Sequence, residues 1–230
     1  MYFNANYILL VMIPSLILSL GAQFFVRSAY SKWSNTRNSA GISGMQVAET
    51  IFQRTNVAPL PLEGVPGQLS DHFDPGKNVV RLSEGIASTP SVAAMAVVAH
   101  ELGHVQQYQS KSPLIAMRSF LVPAVQFSPT ISYMLIFFGL IINATSLIWL
   151  GILAFGLVVV FTLLTLPVEI DASRRGLILL RESGLMQTPQ DESGARQVLT
   201  AAALTYVAAA VGAVLQLLYY INLAQGRRRH

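Results

Sequence analysis

Ser91-Val-Ala-Ala-Met-Ala-Val-Val-Ala-His100-Glu101-Leu102-Gly103-His104-Val-Gln-Gln-Tyr-Gln109 is the stretch whose reading decides the fold. It holds no proline and one glycine, Gly103, and Ala93, Ala94, Ala96 and Ala99 favour helix and close packing. Thr89 reads as the N-cap, Pro90 as the first helical residue, and Ser112-Pro113 as the stop. On such a helix, positions i and i+4 lie one above the other, so His100 and His104 present two imidazoles to a single ion. Glu101 is rotated by about 100° from His100, which suits reaching a water on the ion rather than the ion itself. Two histidines and an adjacent carboxylate in this spacing are the HExxH arrangement of zinc hydrolysis.

The rest of the chain decides where such a helix lives. Of 230 residues, 53% are hydrophobic and 11% charged, against about 25% charged in ordinary soluble domains. Most apolar residues fall in long runs, so the class is membrane protein, with room for only a small separate domain. With no cysteine, disulfides and thiolate zinc sites are excluded, and any ligands must be His and carboxylate. The net charge of +4 suits an anionic lipid surface, and no nucleic-acid-binding motif is present.

Residues 7–26 form an uncharged run long enough to cross the hydrocarbon core. No charge precedes the run and it exceeds a signal-peptide core, so we read it as a retained anchor. Arg27, Lys32 and Arg37 with Tyr30 and Trp33 mark a cytoplasmic interface. Ser43 and Gln46 form a capping-box pattern that opens a short helix from Gly44 to about Thr55. From Ala58 to Asn78 prolines and glycines dominate, which reads as loop and short strand. Asn78 to Ser83 reads as a strand just before the HExxH helix. An unpaired edge there could take an extended substrate by strand addition, and an ordinary two-stranded hairpin fits equally well. His72 lies in this loop as a ligand, a transition-state donor or a local hydrogen-bonding residue.

Beyond the motif, Pro123 and Pro129 predict a broken or kinked approach to a span over 123–143. A polar link, residues 143–146, leads to a second span over 147–166 and Pro167. So short a link makes the two spans an antiparallel hairpin and returns the chain to the side of the HExxH helix. A zinc site with two histidines from one helix needs a third ligand from elsewhere, with a fourth position for water. Ten carboxylates lie outside the motif. Glu169 and Asp171 stand out because they sit at a membrane boundary on an expected helix, where a charge needs a reason. We read Glu169 as the third ligand. The competing reading pairs both acids with Arg174 and Arg175. Gly184 closes that helix and Thr188-Pro189 opens the next, with Asp191 at N3. The last span covers 198–221, with Ala201, Thr205, Ala209 and Ala213 as a small-residue face.

Lys and Arg decide the orientation. Segment 27–118 holds eight and 167–197 four, whereas the other side holds only the three of Arg227-Arg228-Arg229. That asymmetry puts the catalytic segments in the cytoplasm. With four spans both termini lie outside, which the terminal arginines oppose; if the first or the last stretch does not span, the C-terminus lies inside.

Asp71-His-Phe-Asp-Pro75, Val79-Val-Arg-Leu-Ser83, Ser91-Val-Ala-Ala94, Ala99-His-Glu-Leu-Gly-His104, Leu166-Pro-Val-Glu-Ile-Asp-Ala-Ser173 and Ala201-Ala-Ala-Leu-Thr-Tyr-Val-Ala-Ala209 together resemble the YugP-like bacterial membrane zinc metallopeptidases. The resemblance implies a gluzincin-type site, with His100, His104 and Glu169 binding zinc and Glu101 as general base. The chain also resembles the wider membrane and mini gluzincins, whose third ligand lies in a Glu-x-x-Ala-Asp pattern. Here it reads Glu169-Ile-Asp-Ala172-Ser173, with Ser173 in the usual Asp place and the acid at 171.

The expected architecture is a mainly α membrane protein of about four transmembrane helices, with a small zincin-like cytoplasmic domain containing a short strand pair. One membrane-embedded domain covers 1–230, its catalytic segments being 38–112 and 167–190. The expected activity is peptide-bond hydrolysis at the cytoplasmic surface of a bacterial inner or plasma membrane, with one Zn2+ per chain. The expected partners are a peptide or membrane-protein substrate and the lipid bilayer, with a partner membrane protein as an open option and no nucleic acid. Asp171, His72, Tyr108 and Arg175 are candidates for orienting a ligand or stabilising the oxyanion. The alternative is a non-catalytic zinc-binding scaffold that regulates a partner membrane protein.

Overall fold

A computed structural model describes residues 5–227. Arg228 and Arg229, part of the terminal basic cluster, and the first residues of the tail lie outside the described residues. The helices are α1 (Ala5–Ser34), α2 (Gly44–Arg54), α3 (Glu84–Ser88), α4 (Val92–Gln109), α5 (Pro113–Ile141), α6 (Thr145–Glu182) and α7 (Pro189–Arg227). The strands are β1 (Leu62–Val65), β2 (His72–Asp74) and β3 (Val79–Ser83). Helices α1, α5, α6 and α7 are each long and apolar enough to cross a membrane. The protein is a mainly helical membrane protein with a small three-stranded sheet.

The chain divides into two compact units. The first takes the described residues of Met1–Ala22, Ala116–Pro167 and Thr205–His230. Within it α5 and α6 form the expected antiparallel hairpin. Ser128 Oγ donates to Ala154 O at 2.6 Å and Ser132 Oγ to Gly151 O at 2.8 Å. Close approach is possible because Gly139 and Gly151 carry no Cβ; one at Gly151 would meet Ile136 Cγ1 at 2.7 Å. Ile136, Ile148, Ile152, Phe155 and Tyr220 make the interior. Phe120, Phe127 and Leu153 are exposed, the pattern of helices whose outer surface meets lipid. Of the broken or kinked approach expected before this span, the break is absent: α5 runs through Pro123 and Pro129 without interruption. Each proline removes one backbone donor, a loss that helices in a bilayer tolerate when neighbouring groups satisfy the freed carbonyls.

The second unit is Gln23–Ile115 with Val168–Leu204. Its core gathers Val47, Ile51, Val80, Leu82, Ile86, Met95, Leu102, Leu179 and Leu180. Ser43 and Gln46 form the capping box read from the sequence, with both reciprocal bonds present. The start of α4 differs from expectation. Its cap is Ser91, whose Oγ accepts from Ala94 N at 3.1 Å, not Thr89. The reason is tertiary: Asn38 N donates to Pro90 O and Val92 N to Thr36 O, which holds residues 90–92 extended against 36–38. The helix ends at Gln109, and Pro113 is already the first residue of α5.

The strand read at 78–83 is β3, but it is neither an edge nor half of a two-stranded hairpin. The sheet order is β1-β3-β2, with β1 parallel and β2 antiparallel to β3. Its backbone groups are therefore engaged on both sides. The third strand, β1, falls in the proline-rich segment that read as loop and short strand, and its partner β3 lies beyond that segment. Arg81 on β3 reaches Asp74 at 2.7 Å and Glu63 at 3.0 Å. The guanidinium beside it holds the Asp74 carboxyl below its usual range.

Helix α6 continues past Pro167 to Glu182 without a break. Its end is the expected glycine stop: Gly184 has φ +71°, Gly184 N donates to Arg181 O and Leu185 N to Leu180 O. Thr188 and Asp191 then exchange reciprocal capping bonds at the start of α7. The small-residue repeat on α7 is not a uniformly packed face, since Ala201 is buried and Ala209 exposed.

Candidate metal centre

Two helices of the second unit build the site. His100 and His104, one turn apart on α4, stack edge to face with ring centroids 4.8 Å apart. Both turn Nε2 toward one carboxylate oxygen, Glu169 Oε2 on α6, at 3.3 Å and 3.5 Å. One donor atom from each residue lies within 4.8 Å of the others. Ligands held at about 2.0–2.1 Å around a tetrahedral ion stand about 3.3–3.4 Å apart, which matches both carboxylate–imidazole distances. The donor set, two imidazoles and one carboxylate, is also the kind a catalytic zinc takes, with the fourth position left for water. The residues present thus fit zinc.

What brings Glu169 here is the contact between α4 and α6. A Cβ on Gly103 would lie 2.2 Å from Ala172 O, and one on Gly176 would lie 2.6 Å from Ala99 O. Two glycines, one from each helix, let the backbones touch. The glycine inside the motif is thus a packing residue.

Burial leaves the cluster nearly closed. The Glu169 side chain is 3% exposed, against 15% for His100 and 12% for His104, so the imidazoles are the more solvent-exposed part of the cluster. Both titratable partners lie outside the apolar runs. Burial works against charge on Glu169, yet hydrogen bonds and charge from His100 and His104 outweigh it and hold its carboxyl well below the usual range. Burial likewise opposes an imidazolium at His104, but Glu169 and Glu101 outweigh it and raise its pKa.

The other imidazole nitrogens have partners too. His100 Nδ1 lies 3.1 Å from Ser173 Oγ, and His104 Nδ1 lies 3.0 Å from Gln107 Oε1. Glu101 is also buried, and its Oε2 accepts from Phe73 N on β2 at 2.9 Å. The site therefore has the edge strand β2 beside the motif carboxylate.

The remaining sequence candidates fall as follows. Asp171 contacts neither imidazole; its Oδ2 accepts from Gln107 Nε2 at 2.8 Å and from Arg175 Nε at 2.7 Å. Arg175 also reaches Gln106. The competing pairing of acid with arginine thus holds for Asp171, while Glu169 turns to the histidines. His72 is exposed, with Nδ1 2.8 Å from Ser70 O and Nε2 3.4 Å from Arg81 Nη1. Tyr108 is exposed and meets Phe73 edge to face at 5.5 Å. Sequence reading missed Gln107. Its place three residues after His104 on one helix face was the available signal.

A family model described as "Putative neutral zinc metallopeptidase" matches residues 8–225. The chain is 38% identical over 211 residues to the "Putative membrane protease YugP" of Bacillus subtilis (strain 168), covering 92% of this chain and 93% of that protein. No solved structure matches it. A match spanning almost every described residue, both the apolar helices and the histidine-bearing one, leaves one conclusion: the chain belongs to the neutral zinc metallopeptidase family that the matching model describes.

Proposed function

We propose that this protein is a membrane-bound zinc peptidase of the gluzincin type, with His100, His104 and Glu169 as the ligands of one zinc ion. The observation that carries the reading is the pair of 3.3 Å and 3.5 Å separations between Glu169 Oε2 and the two imidazole Nε2 atoms. When bound there, zinc would supply Lewis acidity and would lower the pKa of a water toward about 7. Glu101 takes the proton of the attacking water and later delivers it to the leaving amine. The Phe73 N–H, 2.9 Å from Glu101 Oε2, steadies that carboxylate. Among the three oxyanion candidates, Tyr108 has the best support, because it stands against Phe73 while Arg175 and His72 are engaged elsewhere. Asp171 acts on the ligands at one remove.

The substrate class is a peptide or the exposed segment of a membrane protein, cut at the membrane surface rather than inside the bilayer. Support comes from the site's place on residues 100–104 and 169, all in the unit that holds the sheet. The basic asymmetry of the sequence supports a cytoplasmic active site in a bacterial inner membrane.

The test is hydrolysis of a fluorogenic peptide by the detergent-purified protein. Activity that a chelator removes and zinc restores supports the reading. Stoichiometric zinc without turnover on any peptide of a diverse library would favour the non-catalytic scaffold instead.

A further inference from the structure

Gln107 is fully buried (0% exposed) on the helix that carries both histidines. Its amide is fully engaged. Nε2 donates to Val168 O at 2.8 Å and to Asp171 Oδ2 at 2.8 Å, both on α6. Its Oε1 faces His104 Nδ1 at 3.0 Å. A main-chain carbonyl and an ionised carboxylate only accept hydrogen bonds, so the end of the amide that meets them must be the NH2. The oxygen is then forced toward His104, and an amide oxygen also only accepts. His104 must therefore carry a proton on Nδ1, so that in the neutral imidazole the lone pair is on Nε2, the Glu169 side.

We propose that Gln107 is a positioning residue that selects the metal-binding tautomer of His104 and ties that imidazole to α6 through Asp171. Arg175 completes the arrangement. Its Nε shares Asp171 Oδ2 at 2.7 Å, and its Nη1 returns to Gln106 on α4 at 3.3 Å. The chain of hydrogen bonds thus leaves α4 at Gln107 and comes back to it at Gln106. Asp171 supplies the acceptor that orients the amide, while Arg175 holds that carboxylate in place. This differs from a carboxylate placed directly on the imidazole. Here the negative charge stands one amide away from His104 and is shared with a guanidinium, so the group that orients the ligand at Nδ1 is itself neutral.

The inference rests on the zinc reading above, and the experiment separates the two. Zinc affinity is measured by chelator competition on the full-length protein in detergent, together with the visible spectrum of the cobalt-substituted form. Wild-type protein should bind zinc tightly. Q107L should bind it about 10–100-fold more weakly, the usual effect of losing a ligand's supporting hydrogen bond, and should shift the cobalt absorption bands. Q107E keeps an acceptor for His104 but sets a carboxylate against Asp171, so it too should weaken binding. Adding D171N gives that carboxylate a donor and should recover most of the loss. The paired variants carry the test if Q107L does not fold. Unchanged affinity and cobalt spectrum in Q107L, or no recovery in the double variant, would overturn the role of Gln107 while leaving zinc binding intact. A wild-type protein that binds no zinc would overturn both readings.

Discussion

Gly103 lies directly against the backbone of Ala172: a Cβ on the glycine would stand 2.2 Å from the Ala172 carbonyl oxygen and 3.2 Å from its Cα. A residue inside the HExxH motif thereby sets how closely the helix bearing the third ligand can approach. Because the obstacle is backbone, a methyl group cannot be absorbed by a rotamer change. Gly103→Ala is expected to force α4 and α6 apart and cost about 1–3 kcal/mol, the range for overpacking a closed interface. The checks are thermal unfolding and zinc affinity, both of which should fall. Equal stability and affinity in the variant would mean that the helices do not need this contact.

Glu101→Gln should abolish peptide hydrolysis while leaving zinc bound. The amide cannot take a proton from water, and general base catalysis contributes about 10²–10⁴-fold. Glu101 is not part of the three-donor cluster, so metal content should match the parent. Full activity in this variant would remove Glu101 from its assigned role.

Glu169→Ala should cost tight zinc binding. Two imidazoles remain, one donor short of the three protein ligands that catalytic zinc sites use. Metal analysis after dialysis, with affinity by competition, gives the answer. Asp171→Ala is the useful contrast, since it leaves all three donors in place and should lower affinity far less.

The absence of cysteine makes sidedness directly measurable. Lys77→Cys places a thiol on the exposed turn between β2 and β3, and Ser146→Cys places one at the exposed start of α6. In intact cells a membrane-impermeant maleimide should label the second and not the first. Permeabilised cells should show both. The reverse pattern would put the active site outside the cytoplasm.

Much of the fold could be read locally. The apolar runs became α1, α5, α6 and α7, and the Ser43–Gln46 box and Gly184 stop appear where expected, because each depends on neighbours within a turn. The differences in the second unit share one cause. The cap at Ser91 instead of Thr89 arises from pairing with residues 36–38. β1 exists only because β3 is available to pair with it, and the central position of β3 removes the edge its own sequence suggested.

The sequence by itself determined the chemistry on offer: two imidazoles one turn apart, a carboxylate beside them, no thiolates, and apolar runs that only a bilayer can accommodate. Those properties follow from helical periodicity and solvation, which need no knowledge of distant residues. Only the tertiary structure decided which acid turns to the histidines and which turns to an arginine. Glu169 and Asp171 are two residues apart on one helix, so they point about 200° apart around its axis. Packing through Gly103 and Gly176 selects the face that meets α4. The same contact places Ser173 behind His100 and engages the Gln107 amide with Val168 and Asp171, contacts that exist only once the helices touch.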